Sequence, residues 1–130
     1  MHIESPKKRI GKSDKELYDF LTELSNFERI MPPNIEKFRV LDKDTFLFAL
    51  RGMPEIVLKK KEEHPHDKVV LGAASEKLPF TLTADIRAVT AQEAEVTLSF
   101  EGSFNAMMAM MIKTPITNFI NTLSENLTTI

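Results

Sequence analysis

The sequence predicts an α+β fold, in which a curved antiparallel sheet of about seven strands wraps around a long C-terminal helix. Two short helices are expected between the first and second strands. Apolar and polar residues alternate with a period of two over residues 35–104, which is typical of strands that bury one face. Apolar residues then recur at helical spacing over residues 107–127, forming a stripe broad enough to cover a sheet.

The segment before the sheet contains one edge strand and two short helices. Residues 2–10 are predicted to form the first strand, at an edge, because Pro6 has no amide hydrogen to donate. Ser13 and Glu16 form a capping box, in which each side chain can bond the other residue's amide and start a helix. A second short turn over residues 27–31 ends at two consecutive prolines, which favour extended backbone.

The central segment indicates hairpins. Residues 35–52 are predicted to form two strands that turn at residues 42–44, and residues 55–75 form two more that turn at residues 64–67. The alternation is clearest over residues 80–87 and 94–104, where one face is apolar and the other polar. Consecutive hairpins place neighbouring strands side by side without crossovers, so one antiparallel sheet is the simplest arrangement.

The terminal helix begins with an unusual run, in which methionine occupies four of the five positions 107–111. On a helical projection Met111 lies at the shoulder of the apolar stripe, while Met107 and Met110 lie away from it. Pro115 is predicted to kink the helix or to make it start again, because its ring clashes with the preceding turn. A tilted, methionine-rich segment favours the wall of a cavity, since methionine adapts to irregular partners. Plain core packing and a homodimer contact through Met107 or Met110 are the alternatives.

Composition excludes several classes of function. The 130 residues are expected to form a single domain over 1–130, and 17 basic against 19 acidic residues give no basic surface for nucleic acid. Without cysteine there are no disulfides, thiolate nucleophiles or cysteine metal ligands. No signal peptide and no apolar window of transmembrane length are present, so the sequence predicts a cytoplasmic protein without stable membrane insertion.

Candidate catalytic and charged sites are few. The sequence contains no nucleophile elbow, phosphate-binding loop or zinc-protease motif, and no catalytic residue or cofactor is predicted. The imidazoles and carboxylates of residues 63–67 could bind a divalent metal. Their place in a turn favours solvation, so no metal site is predicted. The charged run 59–63 is expected on a strand near a sheet edge, with an anionic head group at a cavity mouth as the alternative. Arg39 and Arg51 could alternatively turn inward to hold a carboxylate or phosphate.

Three segments together resemble a known superfamily: residues 24–40, residues 46–65 and residues 105–127. They are similar to the START-like helix-grip superfamily, also called SRPBCC, and within it to a small bacterial branch of single-domain members. That superfamily contains lipid-transfer domains, birch-pollen-allergen-type proteins, polyketide cyclases and coenzyme Q-binding proteins. The likeness spans nearly the whole chain, but these segments frame a fold and do not identify an activity.

The resemblance implies an elongated apolar cavity between the sheet and the C-terminal helix. Phe27 and Met31 would flank its mouth, near the loops that face the short helices. The implied occupant is a small hydrophobic molecule such as a lipid, a quinone or a polyketide-like compound. The implied lining residues are Phe46, Phe48, Leu50, Phe80, Leu82, Phe100 and Phe104 from the sheet, with Met108, Met111, Ile112 and Phe119 from the helix.

Two other functions stay open at this point. A cyclase or dehydratase could use the same cavity, or a regulatory protein could fill it with its own side chains. A cyclase needs a buried acid or base beside its ligand. The sequence offers one tyrosine, Tyr18, and three histidines that lie near chain ends or turns. It therefore favours binding over catalysis.

Overall fold

The computed structural model describes residues 1–53, 55–74 and 80–130. In these ranges eight strands form one antiparallel sheet, which is accompanied by two α-helices and one 3₁₀ helix. In chain order the elements are β1 (His2–Glu4), β2 (Lys8–Ile10), α1 (Asp14–Thr22), the 3₁₀ helix (Leu24–Ile30), β3 (Ile35–Asp42), β4 (Thr45–Leu50), β5 (Ile56–His64), β6 (Lys68–Ala73), β7 (Phe80–Thr90), β8 (Glu93–Gly102) and α2 (Ala106–Leu127).

The predicted α+β fold, with an antiparallel sheet and a long C-terminal helix, is confirmed. The strand order is β1-β8-β7-β6-β5-β4-β3, and β2 also pairs with β8. The predicted sheet of about seven strands has eight in the described residues, because residues 2–10 form two short strands and not one. Pro6 lies between them, and the Ser5 amide and hydroxyl bridge the gap by bonding the Leu98 backbone at 2.8 and 2.9 Å.

The predicted hairpin turns are also confirmed. β3 and β4 are joined at residues 43–44, and β5 and β6 at residues 65–67. In the second turn His66 has a φ of 67°, in the left-handed region that few non-glycine residues adopt. Ser75, the predicted end of this hairpin, lies outside the described residues, as does Pro54 in the preceding connection.

The charged run 59–63 lies on β5, which is internal in the strand order and is not an edge strand. Only Lys59 of the run pairs with both neighbours, with Thr45 of β4 and Gly72 of β6, while Lys60, Glu62 and Glu63 pair with β6 alone among the described strands. Residues 61–63 therefore extend past the end of β4, so the predicted position near an edge holds for this part of the run although β5 itself is internal. Within the run, Lys60 is largely buried, and its ammonium lies 3.8 Å from Asp44 and 3.7 Å from Glu63. Periodicity shows which residues form a strand, but strand order depends on pairings between distant segments.

The short helices follow the predicted capping box. The Glu16 amide donates to the Ser13 hydroxyl at 3.1 Å, and the Ser13 amide donates to the Glu16 carboxylate at 3.2 Å. Leu17 and Leu21 of α1 are fully buried. The 3₁₀ helix is linked to the end of α2, because the Asn126 side chain donates to the Ile30 carbonyl at 2.9 Å. The predicted pair of short helices between the first strands and the hairpins is therefore confirmed.

The long helix α2 runs without interruption through Pro115, so it does not start again after the proline. Asn105 caps it by accepting from the Met108 amide at 2.8 Å. Proline leaves the Met111 carbonyl without its usual amide partner. Beyond it, the core residues Ile120, Leu123 and Leu127 are each at most 1% exposed. Within the described ranges, no helix has the length and apolar character needed to span a membrane.

Candidate ligand-binding cavity

A cavity of about 360 Å³ lies between the first part of α2 and the inner face of the sheet. Small-molecule sites in proteins typically range from about 300 to 1,000 Å³, so this volume is sufficient for a small ligand. It is lined by Phe48, Gly52, Met53, Glu55, Ile56, Leu58, Phe80, Leu82, Phe100 and Phe104 of the sheet and its loops, and by Met108, Met111, Ile112, Ile116, Phe119 and Ile120 of α2.

Stacked phenylalanines form two sides of the cavity. Phe48 of β4 stacks on Phe119 of α2 with ring centroids 5.1 Å apart and an interplanar angle of 7°. On the opposite strands, Phe100 lies 5.1 Å from Phe80 and 6.2 Å from Phe104. Such offset ring pairs gain about 0.5–1.5 kcal/mol beyond the area they bury. The walls are therefore held in place by contacts that do not require a ligand.

Gly102 allows the Phe104 ring to take this position. A Cβ atom at residue 102 would lie 2.5 Å from Cε2 of Phe104 and 3.0 Å from Cβ of Phe80. Any larger residue would displace one of these two side chains. The aromatic wall thus depends on the close backbone approach that only glycine permits.

The cavity interior is almost entirely hydrocarbon, thioether and aromatic. Among the described lining residues, Glu55 is the only one with an ionisable side chain. Its carboxylate accepts from the Lys37 ammonium at 2.7 Å, and both side chains are about half exposed. The charge of Glu55 is therefore paired at the rim and does not project alone into the apolar space.

The single tyrosine is not part of this cavity. Tyr18 is buried on α1, where its hydroxyl donates to Glu63 at 3.4 Å and its ring lies edge-on to His66 at 5.6 Å. Burial, and secondly the negative charge of Glu63, raise the pKa of the phenol above its ordinary value of 10.0. It is a neutral structural group beside the β5–β6 turn.

Nine of the residues predicted to bind a ligand line the cavity, and their role in binding remains a prediction. They come from three strands, the β8–α2 connection and the helix, and the alternation of each strand places them on one face. These nine are Phe48, Phe80, Leu82, Phe100, Phe104, Met108, Met111, Ile112 and Phe119.

Two predicted lining residues, Phe46 and Leu50, lie elsewhere. Phe46 is fully buried and stacks between Phe27 at 5.2 Å and Phe48 at 6.0 Å, so it belongs to the packed core. Leu50 is buried beside a separate groove next to α2. Alternation correctly places both on the inner face of β4. It does not show how far along that strand the cavity extends.

The predicted mouth at Phe27 and Met31 is wrong. These residues are only 5% and 8% exposed, and Phe27 borders an internal void of about 10 Å³ under the far end of α2. The large cavity is bordered instead by Gly52, Met53 and Glu55 and by the start of α2. Met111 lines it and yet is 69% exposed, which places the opening there.

Sequence reasoning missed several lining residues. Ile116 lies on the predicted helical stripe, so the same pattern could have identified it, and Ile56 and Leu58 lie two residues apart on one face of β5. Because Val57 between them is also apolar, the alternation is weak there and does not show which face of β5 points inward. Gly52 and Met53 lie in the β4–β5 connection, where no periodic signal exists. Their position follows only from how the hairpins pack.

The arginines and the histidine-containing turn, which the sequence offered as other candidate sites, do not line the cavity. Arg39 and Arg51 are exposed and do not turn inward; the Arg51 Nε lies 3.7 Å from the Glu36 carboxylate. In the turn near residue 65, His64 contacts Glu62 at 3.3 Å. No group of three or more metal-ligating side chains occurs within residues 1–53, 55–74 and 80–130.

The comparisons with known proteins support the fold and do not identify a specific function. No protein-family model matches the sequence, and no curated protein matches it. Norcoclaurine synthase from Thalictrum flavum is similar in structure, with a TM-score of 0.77 and 8% identity over 99% of this chain and 84% of that one. A protein from Thermus thermophilus has a TM-score of 0.75 and 9% identity, covering 99% and 95%.

The Zhui aromatase/cyclase from Streptomyces is also similar, with a TM-score of 0.69 and 10% identity over 97% of this chain and 93% of that one. At such low identities these likenesses describe the backbone arrangement alone. They agree with the α+β fold described above. The chain has a helix-grip fold with an apolar cavity between helix and sheet.

Proposed function

We propose that the chain binds a small hydrophobic molecule, such as a lipid, a quinone or a polyketide-like compound, in the cavity beside α2. One observation carries the proposal: an apolar space of about 360 Å³ adjoins a core that is otherwise closely packed. Protein interiors normally leave few voids larger than a water molecule, because an empty apolar space forfeits dispersion contacts. A ligand that fills this space would regain them.

Apolar burial would supply most of the affinity. Each Å² of apolar surface removed from water contributes about 25 cal/mol before the costs of ordering the ligand and the side chains are subtracted. Met108 and Met111 suit a ligand of irregular shape, since their unbranched side chains can change conformation with little loss of packing energy. Because Met111 lies at the opening, we expect the ligand to enter the cavity past the first turns of α2.

An enzymatic role is the second candidate, since two of the similar structures are named as a synthase and an aromatase/cyclase. Such a reaction would require a group that moves a proton inside the cavity. Glu55, the only ionisable side chain among the described lining residues, is paired with Lys37 at the rim. The cavity therefore favours binding over catalysis.

The domain assignment belongs to the same proposal. We place residues 1–130 as a single START-like domain of the bacterial single-domain type. The Thermus thermophilus structure supports this placement, because the likeness covers 99% of this chain and 95% of that one.

Native mass spectrometry of protein purified from its own cells tests the proposal. The wild-type chain is expected to carry an apolar ligand and, once delipidated, to bind the neutral fluorescent probe N-phenyl-1-naphthylamine. Met111→Glu should lower occupancy about tenfold or more, because it brings a charge to the opening. Met107→Glu is the matched control, since Met107 is similarly exposed on the same helix but does not line the cavity.

Loss of binding in both variants would locate the effect outside the cavity. A wild-type chain that carries no ligand and ignores the probe would overturn the proposal. If Met107→Glu instead turned a dimer into a monomer in size-exclusion chromatography, the exposed methionines would form a contact between two copies of the chain.

A further inference from the structure

A second concavity lies beside the first along α2. It is a groove of about 380 Å³ between this helix and the ends of β3 and β4. We call it the polar groove, because its walls include the polar side chains Asn34, Arg51, Thr114, Asn118 and Thr122. It differs from the apolar cavity in composition although both are built against the same helix.

The polar groove and the apolar cavity share a boundary. Gly52, Met53 and Phe119 line both of them. Gly52 has a φ of 80°, a conformation that side-chain-bearing residues rarely adopt, and it turns the chain so that Met53 lies between the two spaces. The cavity and the groove are therefore adjacent, and Gly52, Met53 and Phe119 form the boundary between them.

The polar side chains of the groove are available for a ligand. Thr114, Asn118 and Thr122 recur every four residues, so they lie on one face of α2. Within the described parts of the chain, the α2 side chains with polar partners are Thr117, Glu125 and Asn126, and the three groove residues have none. The groove thus presents hydroxyl and amide groups whose hydrogen-bonding capacity is not used by residues 1–53, 55–74 or 80–130.

One ionisable side chain lines the described part of the groove, and it is basic. It belongs to Arg51, which is 80% exposed. Its nearest carboxylate partner is Glu36, with Nε and Oε1 3.7 Å apart, which is longer than a hydrogen bond. On the cavity side, the carboxylate of Glu55 is already neutralised by Lys37. An anion in the groove would therefore compete with Glu36 for a guanidinium that Glu36 does not approach to hydrogen-bond distance.

We infer that the ligand is an amphiphile with an anionic head group such as a carboxylate. Its apolar body occupies the cavity, and its head group lies in the polar groove against Arg51 and Asn118. This inference rests on the proposed function, since it assigns the second part of the same binding site. Arginine suits the task because its planar guanidinium can donate two parallel hydrogen bonds to a carboxylate.

Competition with three amphiphiles of one chain length tests the inference. Dodecanoate, dodecanol and dodecyltrimethylammonium would each displace N-phenyl-1-naphthylamine from the wild-type chain, below their micelle concentrations. Dodecanoate should bind about tenfold more tightly than the cationic amphiphile, because a charge-assisted hydrogen bond contributes that much. This preference should shrink at high salt, since the guanidinium is exposed.

Two variants should shift dodecanoate binding in opposite directions. Arg51→Gln should weaken it about tenfold and leave dodecanol unchanged, while Glu36→Gln should strengthen it because Arg51 loses its competing carboxylate. Arg39→Gln is the matched control, since Arg39 is an exposed arginine on β3 that lines neither concavity. Equal thermal unfolding temperatures would show that all variants fold.

The outcomes separate this inference from the proposed function. If the three amphiphiles displace the probe equally and Arg51→Gln behaves like Arg39→Gln, the inference is overturned while the apolar site stands. If dodecyltrimethylammonium binds best, the charge assignment is wrong. If the wild-type chain does not bind the probe at all, both the site and its head-group pocket are refuted.

Discussion

The two halves of α2 lie over the same sheet but contact it in different ways. In the C-terminal half, residues 117–127, the inward side chains are buried and the void beside them is about 10 Å³. In the N-terminal half, residues 106–116, a cavity of about 360 Å³ separates helix and sheet, and three methionines are 69–81% exposed. A helix held firmly at one end can therefore leave space at the other.

Different contacts explain this difference. The C-terminal half is tied to the 3₁₀ helix through Asn126 and to β2 through an ion pair between Glu125 and Lys8 at 2.9 Å. The N-terminal half has the Asn105 cap and residues of high helix propensity, mainly alanine and methionine. Such residues keep a helix intact without close packing, so the first half of α2 can border a cavity and still remain helical.

Truncation in each half should produce the largest contrast. Leu123→Ala should lower the free energy of unfolding by about 3 kcal/mol, because it leaves a cavity in a site that is already packed. Met108→Ala should cost about 1 kcal/mol or less, since Met108 is only partly buried beside empty space. Urea denaturation of both variants measures the two values. Equal losses would contradict the comparison.

Enlarging a side chain should show the same contrast with a smaller effect. Leu127→Phe should lower the free energy of unfolding by about 1–3 kcal/mol, because the packed half has no room for a ring. Ile112→Phe should be tolerated within about 0.5 kcal/mol and should weaken N-phenyl-1-naphthylamine binding severalfold, because the ring fills cavity volume. Thermal unfolding and probe titration measure the two effects. A destabilised Ile112→Phe variant would show that the cavity cannot accept added volume.

The smallest expected effect concerns Ser124, in the packed half. Its hydroxyl is fully buried and has no hydrogen-bond partner among the described residues. Ser124→Ala should therefore leave the free energy of unfolding unchanged or raise it by up to about 1 kcal/mol, since an unsatisfied buried hydroxyl is removed. Ser5→Ala is the control that should destabilise, because the Ser5 hydroxyl accepts from the buried Leu98 amide. A destabilised Ser124→Ala variant would indicate a partner for this hydroxyl.

Much of the fold could be predicted because its signals are local. The Ser13–Glu16 capping box, the turns at residues 43–44 and 65–67 and the alternation of β7 and β8 all involve neighbours in the chain. The same alternation placed Phe100 and Leu82 on the inner face, where they line the cavity. Errors arose where distant segments decide the outcome, as when β5 proved to be internal to the sheet.

The site follows the same division. Residue types and periods determined an apolar sheet face, an amphipathic helix and a methionine-rich segment able to border open space, because these properties are carried by consecutive residues. Tertiary packing alone decided that the opening lies beside Met111 and not at Phe27, and that Phe46 belongs to the core. The distance between a helix and a sheet depends on all the contacts along the helix, so it cannot be predicted from any short stretch of sequence.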